Sequence, residues 1–195
     1  PTKAGFTLVE LLTVLAILSV LVSVGAGVKG GLDRRVLESR ARAELTVLAQ
    51  ALESYAQAYG DYPWTGDCPP LSPSSESELV LSPDAAEVKV FNALMGRLNP
   101  QLQRFSGAVR LDLTRFSLVR PVSEGSTPPS EVLSALLDPW GRPYVYRYRG
   151  RTEEDGWRNG YLLYSKGPDG RDASGAGGSF DENAEPNLDN VYPAR

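Results

Sequence analysis

Apolar side chains follow different rhythms along this chain. Residues 6–28 are apolar almost without interruption and carry one charged side chain, Glu10. At 1.5 Å per residue a helix over that run spans roughly 30 Å, the thickness of a bilayer's hydrocarbon core, so the run predicts a membrane-crossing helix. Lys3 precedes it and Lys29, Arg34 and Arg35 follow it, so flanking positive charge gives no orientation. The rhythm then changes to steps of three and four: Leu37, Ala41, Leu45, Leu48, Leu52, Tyr55 and Tyr59 mark one face of an amphipathic helix. This continuation, together with a run longer than a signal-peptide core, argues against a discarded secretory leader. One long helix from Thr7 to Tyr59 is expected, with bending or local melting at Gly25, Gly27, Gly30 and Gly31, each of which weakens helix by up to about 1 kcal/mol.

Gly60-Asp61-Tyr62-Pro63 stops the helix, and the Ser-, Pro- and acid-rich residues 64–83 read as a surface loop. Asp84 is a candidate cap for a helix over residues 85–98, with Val88, Phe91, Met95 and Leu98 inward and Asn99-Pro100 ending it. Val109, Leu111 and Leu113 alternate with Arg110 and Asp112, and Phe116 and Leu118 resume the alternation, which predicts a broken or bulged strand. Residues 124–130 read as a loop, with Ser130 capping a short helix that ends at Leu137. Beyond Asp138-Pro139-Trp140-Gly141, residues 144–148 favour β structure strongly and residues 161–165 supply a second strand, which predicts an antiparallel hairpin. The expected class is α+β: a long N-terminal helix, half transmembrane and half amphipathic, packed on a small antiparallel head.

Composition narrows the chemistry. A formal charge of -4 gives no general attraction for phosphate backbones, so nucleic acid is not an expected partner. The chain has no histidine, which removes Ser-His-Asp catalysis and histidine metal sites, and its single cysteine, Cys68, excludes an internal disulfide. Adjacent acids such as Glu153 with Glu154 or Asp181 with Glu182 read as solvated loop groups, and no enzymatic activity is expected. Trp64, Trp140 and Trp157 either line a binding surface or pack in the core, the commoner fate.

Glu10 requires its own explanation, because an ionisable side chain inside an apolar segment costs a few kcal/mol unless it reaches water or a partner. Two readings stand. The carboxylate snorkels to the near interface, or a cut between Gly5 and Phe6 creates an α-ammonium on Phe6 that neutralises Glu10 when helices stack. The stretch Lys3-Ala4-Gly5-Phe6-Thr7-Leu8-Val9-Glu10-Leu11-Leu12 resembles the leader junction of type IV pilins and type II secretion pseudopilins. By that resemblance a membrane peptidase cuts after Gly5 and methylates the Phe6 terminus. Glu10 is then the assembly glutamate, and the leader is cytoplasmic with the head outside. The implied organisation is a leader remnant at 1–5, a transmembrane and filament-core helix at 6–28, an amphipathic continuation at 29–60, and a periplasmic head at 61–195.

The tail from Gly167 onward is rich in glycine and acids, and reads either as a disordered linker or as a loop ordered by Ca²⁺. Leu137-Asp138-Pro139-Trp140-Gly141-Arg142-Pro143-Tyr144, followed by Tyr164-Ser165-Lys166-Gly167-Pro168-Asp169-Gly170, is similar to the head of the major type II secretion pseudopilin. The similarity implies a calcium site made of the Lys166 carbonyl, Asp169, Asp189 and Asn190, with Asp172, Asp181 or Glu182 as substitutes. It further implies a pseudopilus subunit that self-associates in a helical filament and works with prepilin peptidase, an inner-membrane assembly platform and minor pseudopilins. A type IV pilus or competence subunit is the alternative within that superfamily, and a membrane-tethered binding module is the alternative of another class.

Overall fold

In the computed structural model the described residues are 8–66, 68–69, 73–74, 78–79, 81–119, 132–148, 160–173 and 183–194, and for residues 20–32 the backbone alone is described. The chain divides into two units, Pro1–Leu37 and Glu38–Arg195. The first helix, α1, occupies Leu8–Tyr59. Thr7, the expected first residue, lies outside the described residues. The expected melting at the glycines does not occur: helical backbone is unbroken from residue 25 to residue 31. A few unfavourable residues interrupt a helix only when their summed cost exceeds what propagation from the long flanking stretches returns.

Within the second unit, Ala41, Leu45, Leu48, Leu52 and Tyr55 are buried and Tyr59 is partly buried, so the stripe read from the sequence is the core face of α1. Burying one such aliphatic side chain is worth about 1.5–3 kcal/mol. Two polar groups join that face. Tyr55 donates its hydroxyl to the Leu98 carbonyl at 2.8 Å, and burial pushes its phenol well above the usual range. Glu44, also buried, accepts from Arg40 Nε at 2.6 Å and from the Tyr144 hydroxyl at 2.6 Å, so its carboxylate has one counter-charge and one neutral hydrogen-bond donor. Helix α1 ends as expected: Gly60 has φ +88°, which an L side chain rarely adopts, and its N–H closes on the Ala56 carbonyl at 2.8 Å.

The stretch read as a plain loop over 64–83 contains a minimal antiparallel pair, β1 (Pro73–Ser74) with β2 (Glu78–Leu79). Helix α2 spans Ala86–Leu94 and is shorter than expected. Asp84 does not cap it: Ala85 holds the N-cap position, without a side-chain bond. Its end comes from Gly96, at φ +71°, where a Cβ would meet the Gly107 carbonyl oxygen at 2.5 Å. Val88, Phe91 and Leu98 are buried as expected and Met95 is partly buried.

The strand expected over 109–118 reduces to β3 (Ser117–Leu118), preceded by a 3-10 turn at Leu113–Arg115. Val109 is exposed, and Arg110 binds outside any ladder, its N–H to the Leu94 carbonyl and a guanidinium N–H to Ser54 Oγ at 2.8 Å. Alternation without a strand to pair with leaves a crossing loop. The helix expected to end at Leu137 is replaced by β4 (Leu136–Leu137), antiparallel to β3, and Ser130 lies outside the described residues. The hairpin is present as β5 (Val145–Tyr148) and β6 (Tyr161–Tyr164), with Val145 opposite Tyr164 and Tyr148 opposite Tyr161. Isolated bridges tie Leu137 to Pro143 and Ser165 to Val191. Tyr144, Tyr146, Tyr161 and Leu163 meet Phe91, Leu94 and the α1 stripe in one core. The architecture is α+β, a long helix with small antiparallel sheets.

Candidate functional site

Two regions carry the chemistry read from the sequence, one in each unit. At the N-terminus, Gly5 and Phe6 lie outside the described residues. Glu10 stands in the first turn of α1, and its backbone carbonyl accepts from Thr13 Oγ1 at 2.9 Å. Around it Leu8, Val9, Leu11, Leu12, Val14, Leu15, Ile17 and Leu18 are all exposed, Leu8 by 74% and Val14, the least, by 48%. These positions circle the helix, so no side of this turn sequence is reserved for water. Such a surface is satisfied by lipid or by other helices. Among the described residues no helix is long and apolar enough to cross a membrane, and the side chains of 20–32 fall outside that description.

The second region is built from the ends of β4 and β6 and the segment before Val191. Asp138, 2% exposed, makes an Asx turn: its Oδ1 accepts the N–H of Trp140 at 3.0 Å and of Arg142 at 2.9 Å. Its Oδ2 accepts the Ser165 hydroxyl at 2.6 Å, and Ser165 Oγ in turn accepts the Gly167 N–H at 3.2 Å. Burial raises the Asp138 carboxyl above the usual carboxylate range, against the lowering by the Ser165 and backbone hydrogen bonds. A carboxyl whose folded value is raised adds stability in its protonated form, and that stability is lost as pH rises through the folded value. The wild type should therefore gain on Asp138→Asn as pH falls through the carboxylate range, measured as urea midpoints across that range. Parallel curves would show that Asp138 does not titrate differently on unfolding.

The four residues implied as calcium ligands fall into one neighbourhood. The Asp169 N–H donates to Asp189 Oδ2 at 3.2 Å. Gly167, at φ +63°, lies so close to Asp189 that a Cβ there would collide with the Asp189 carbonyl. Asn190 donates its amide to Asn187 Oδ1 at 3.2 Å, while its own Oδ1 is buried and accepts no hydrogen bond from the described residues. Lys166 sits beside them, its ammonium 3.3 Å from Asp172 Oδ1. Asp172 also accepts from the Tyr164 hydroxyl at 2.5 Å, so this substitute ligand is already engaged. Asp181 and Glu182 lie outside the described residues. Among the described residues no three acidic, histidine or cysteine side chains form a group that could hold a metal. The set present is two carboxylates, one amide oxygen and a backbone carbonyl.

Sequence reasoning missed the frame of this region. Asp138 and Ser165 were legible only as a turn residue and a strand end, and Asn187, 1% exposed and accepting the Ala173 N–H at 2.8 Å, was not singled out. The Asp-Pro pair was the available signal, because an Asx turn uses Asp to hold backbone N–H groups two and four residues on.

Neither a curated protein nor a solved structure shows a significant match to this chain. Residues 1–26 match the family model described as the prokaryotic N-terminal methylation motif, so the chain carries the N-terminal signature typical of type IV pilin-like proteins and pseudopilins.

Proposed function

We propose that this chain is a structural subunit of a pseudopilus of the type II secretion kind. The observation that carries the proposal is the methylation motif joined to a helix whose first turns expose apolar side chains on every side of Glu10. Prepilin peptidase cuts after Gly5 and the new Phe6 amine is methylated. Before assembly, residues 6–28 hold the chain in the bacterial inner membrane, with the leader cytoplasmic and the head periplasmic. During assembly an inner-membrane platform, with minor pseudopilins, passes the helix from lipid to a bundle of like helices, where small residues permit close approach. The head forms the outside of the filament, and its role is structural.

Sequencing the N-terminus after co-expression of the full chain with a prepilin peptidase tests this. A methylated Phe6 start is expected. An intact chain, or one starting after Ala26, would remove the reading.

The second part of the proposal is a Ca²⁺ ion held by the Lys166 carbonyl, Asp169, Asp189 and Asn190. The donor chemistry fits, since calcium takes oxygen from carboxylates, amides and backbone carbonyls. The buried Asn190 Oδ1, with no donor among the described residues, supports it. The ion would bring the two carboxylates together without mutual repulsion.

A further inference from the structure

Calcium loops fold by gathering oxygens round a cation, and in this loop some of the oxygens already have one. The Arg142 guanidinium donates through Nη1 to the Gly167 carbonyl at 2.6 Å and to the Pro168 carbonyl at 3.3 Å, with Nη2 3.4 Å from the same Pro168 oxygen. Gly170, at φ +72°, packs directly on the guanidinium: a Cβ there would come within 2.5 Å of Arg142 Cζ. Arg142 is itself fixed, because its N–H binds Asp138 Oδ1 at 2.9 Å and its carbonyl accepts the Asp138 N–H at 2.7 Å. The same Asp138 holds Ser165 at the start of the loop. One buried carboxylate thus anchors both the cation and the chain that wraps it.

The geometry points to Arg142 as a covalently attached cation that closes the loop without a bound ion and positions Asp169 and Asp189 for a divalent one. The two sets of oxygens do not overlap. Arg142 takes the carbonyls of Gly167 and Pro168, whereas the proposed ion uses the Lys166 carbonyl, Asp169, Asp189 and Asn190. A planar fork spanning two successive carbonyls orders more backbone than an ammonium can, so lysine is no equivalent here. Ordering the loop before the ion arrives lowers the entropy lost on binding, so calcium should bind more weakly when Arg142 is removed. Only this last consequence rests on the calcium reading, and loop closure by Arg142 is independent of it.

Amide hydrogen exchange of the full chain in detergent micelles tests both, comparing wild type, Arg142→Ala and Arg142→Lys in chelator and across a CaCl₂ titration. In chelator the wild-type amides of 166, 167 and 169–172 should stay protected, and Arg142→Ala should expose them at least about tenfold faster while β5 and β6 keep their protection. Arg142→Lys should fall between, with its calcium midpoint shifted to higher concentration. If Arg142→Ala loses protection everywhere, Arg142→Lys gives the decision by the same readout. A loop protected in the wild type only when calcium is present, or equally protected in chelator in all three proteins, would overturn the inference. Exchange unaffected by calcium in every protein, with the Arg142 effect intact, removes the ion and leaves the arginine closure standing.

Discussion

Glu10→Gln should leave the chain cut and membrane-bound yet unable to enter filaments. The carboxylate lies among exposed apolar side chains in the first turn of α1, and in a packed bundle it needs a positive partner. On the proposed assembly, the Phe6 α-ammonium of a neighbouring subunit would be that cation, created by processing. Removing one member of a buried pair leaves the other uncompensated, at a cost of about 3–5 kcal/mol. At about 1.4 kcal/mol per tenfold, that exceeds a hundredfold in each subunit's association constant. Glutamine keeps the shape of the side chain and one of its acceptor oxygens, so packing alone would not explain the loss. Sedimented polymer, scored beside the processed membrane pool, is the readout. Filaments at wild-type yield would show that the acid merely snorkels.

A drop in melting temperature of roughly 6–12 °C is expected for Gly167→Ala, the equivalent of about 3 kcal/mol in a chain of this size. Two costs add. A residue with a Cβ at φ +63° is strained by about 1–2 kcal/mol. The new methyl also collides with the Asp189 carbonyl, and overpacking of this kind costs about 1–3 kcal/mol when backbone must shift. Gly141→Ala is the control, because Gly141 has φ +82° but no heavy atom within 4 Å of the added Cβ. It should show the strain alone. Equal melting of the two variants would mean that the approach of Gly167 to Asp189 contributes nothing.

Parts of the fold were readable because one local rule sufficed. The α1 stripe follows from period, and its end from Gly60 and Pro63. The β5–β6 hairpin follows from aromatic and aliphatic strand formers on both sides of a polar turn. Reading failed where the outcome depended on a distant partner. Val109, Leu111 and Leu113 alternate as a strand would, yet β4 offers only Leu136 and Leu137 to pair with, so the ladder stops at Ser117 and Leu118. The expected helix over 85–98 ran through Gly96, which in the fold takes φ +71° with Gly107 against it, a contact that no local pattern announces. In the loop, Asp169, Asp189 and Asn190 were singled out by similarity of motif, but Arg142 occupies a position between Gly141 and Pro143 with no local signal. Its role exists only once residues 167–170 fold back over it.

The bridge between Ser165 and Val191 has a kinetic consequence. Two backbone hydrogen bonds, 2.9 and 3.0 Å, give Val191 its register, and they come from a residue at the end of β6. That template does not exist until the hairpin has formed, so residues 187–191 are expected to dock after it. Interactions made after the folding barrier slow unfolding without hastening folding. The loop next to Val191 is therefore expected to bear more on how long a folded head lasts once made than on how quickly it is made.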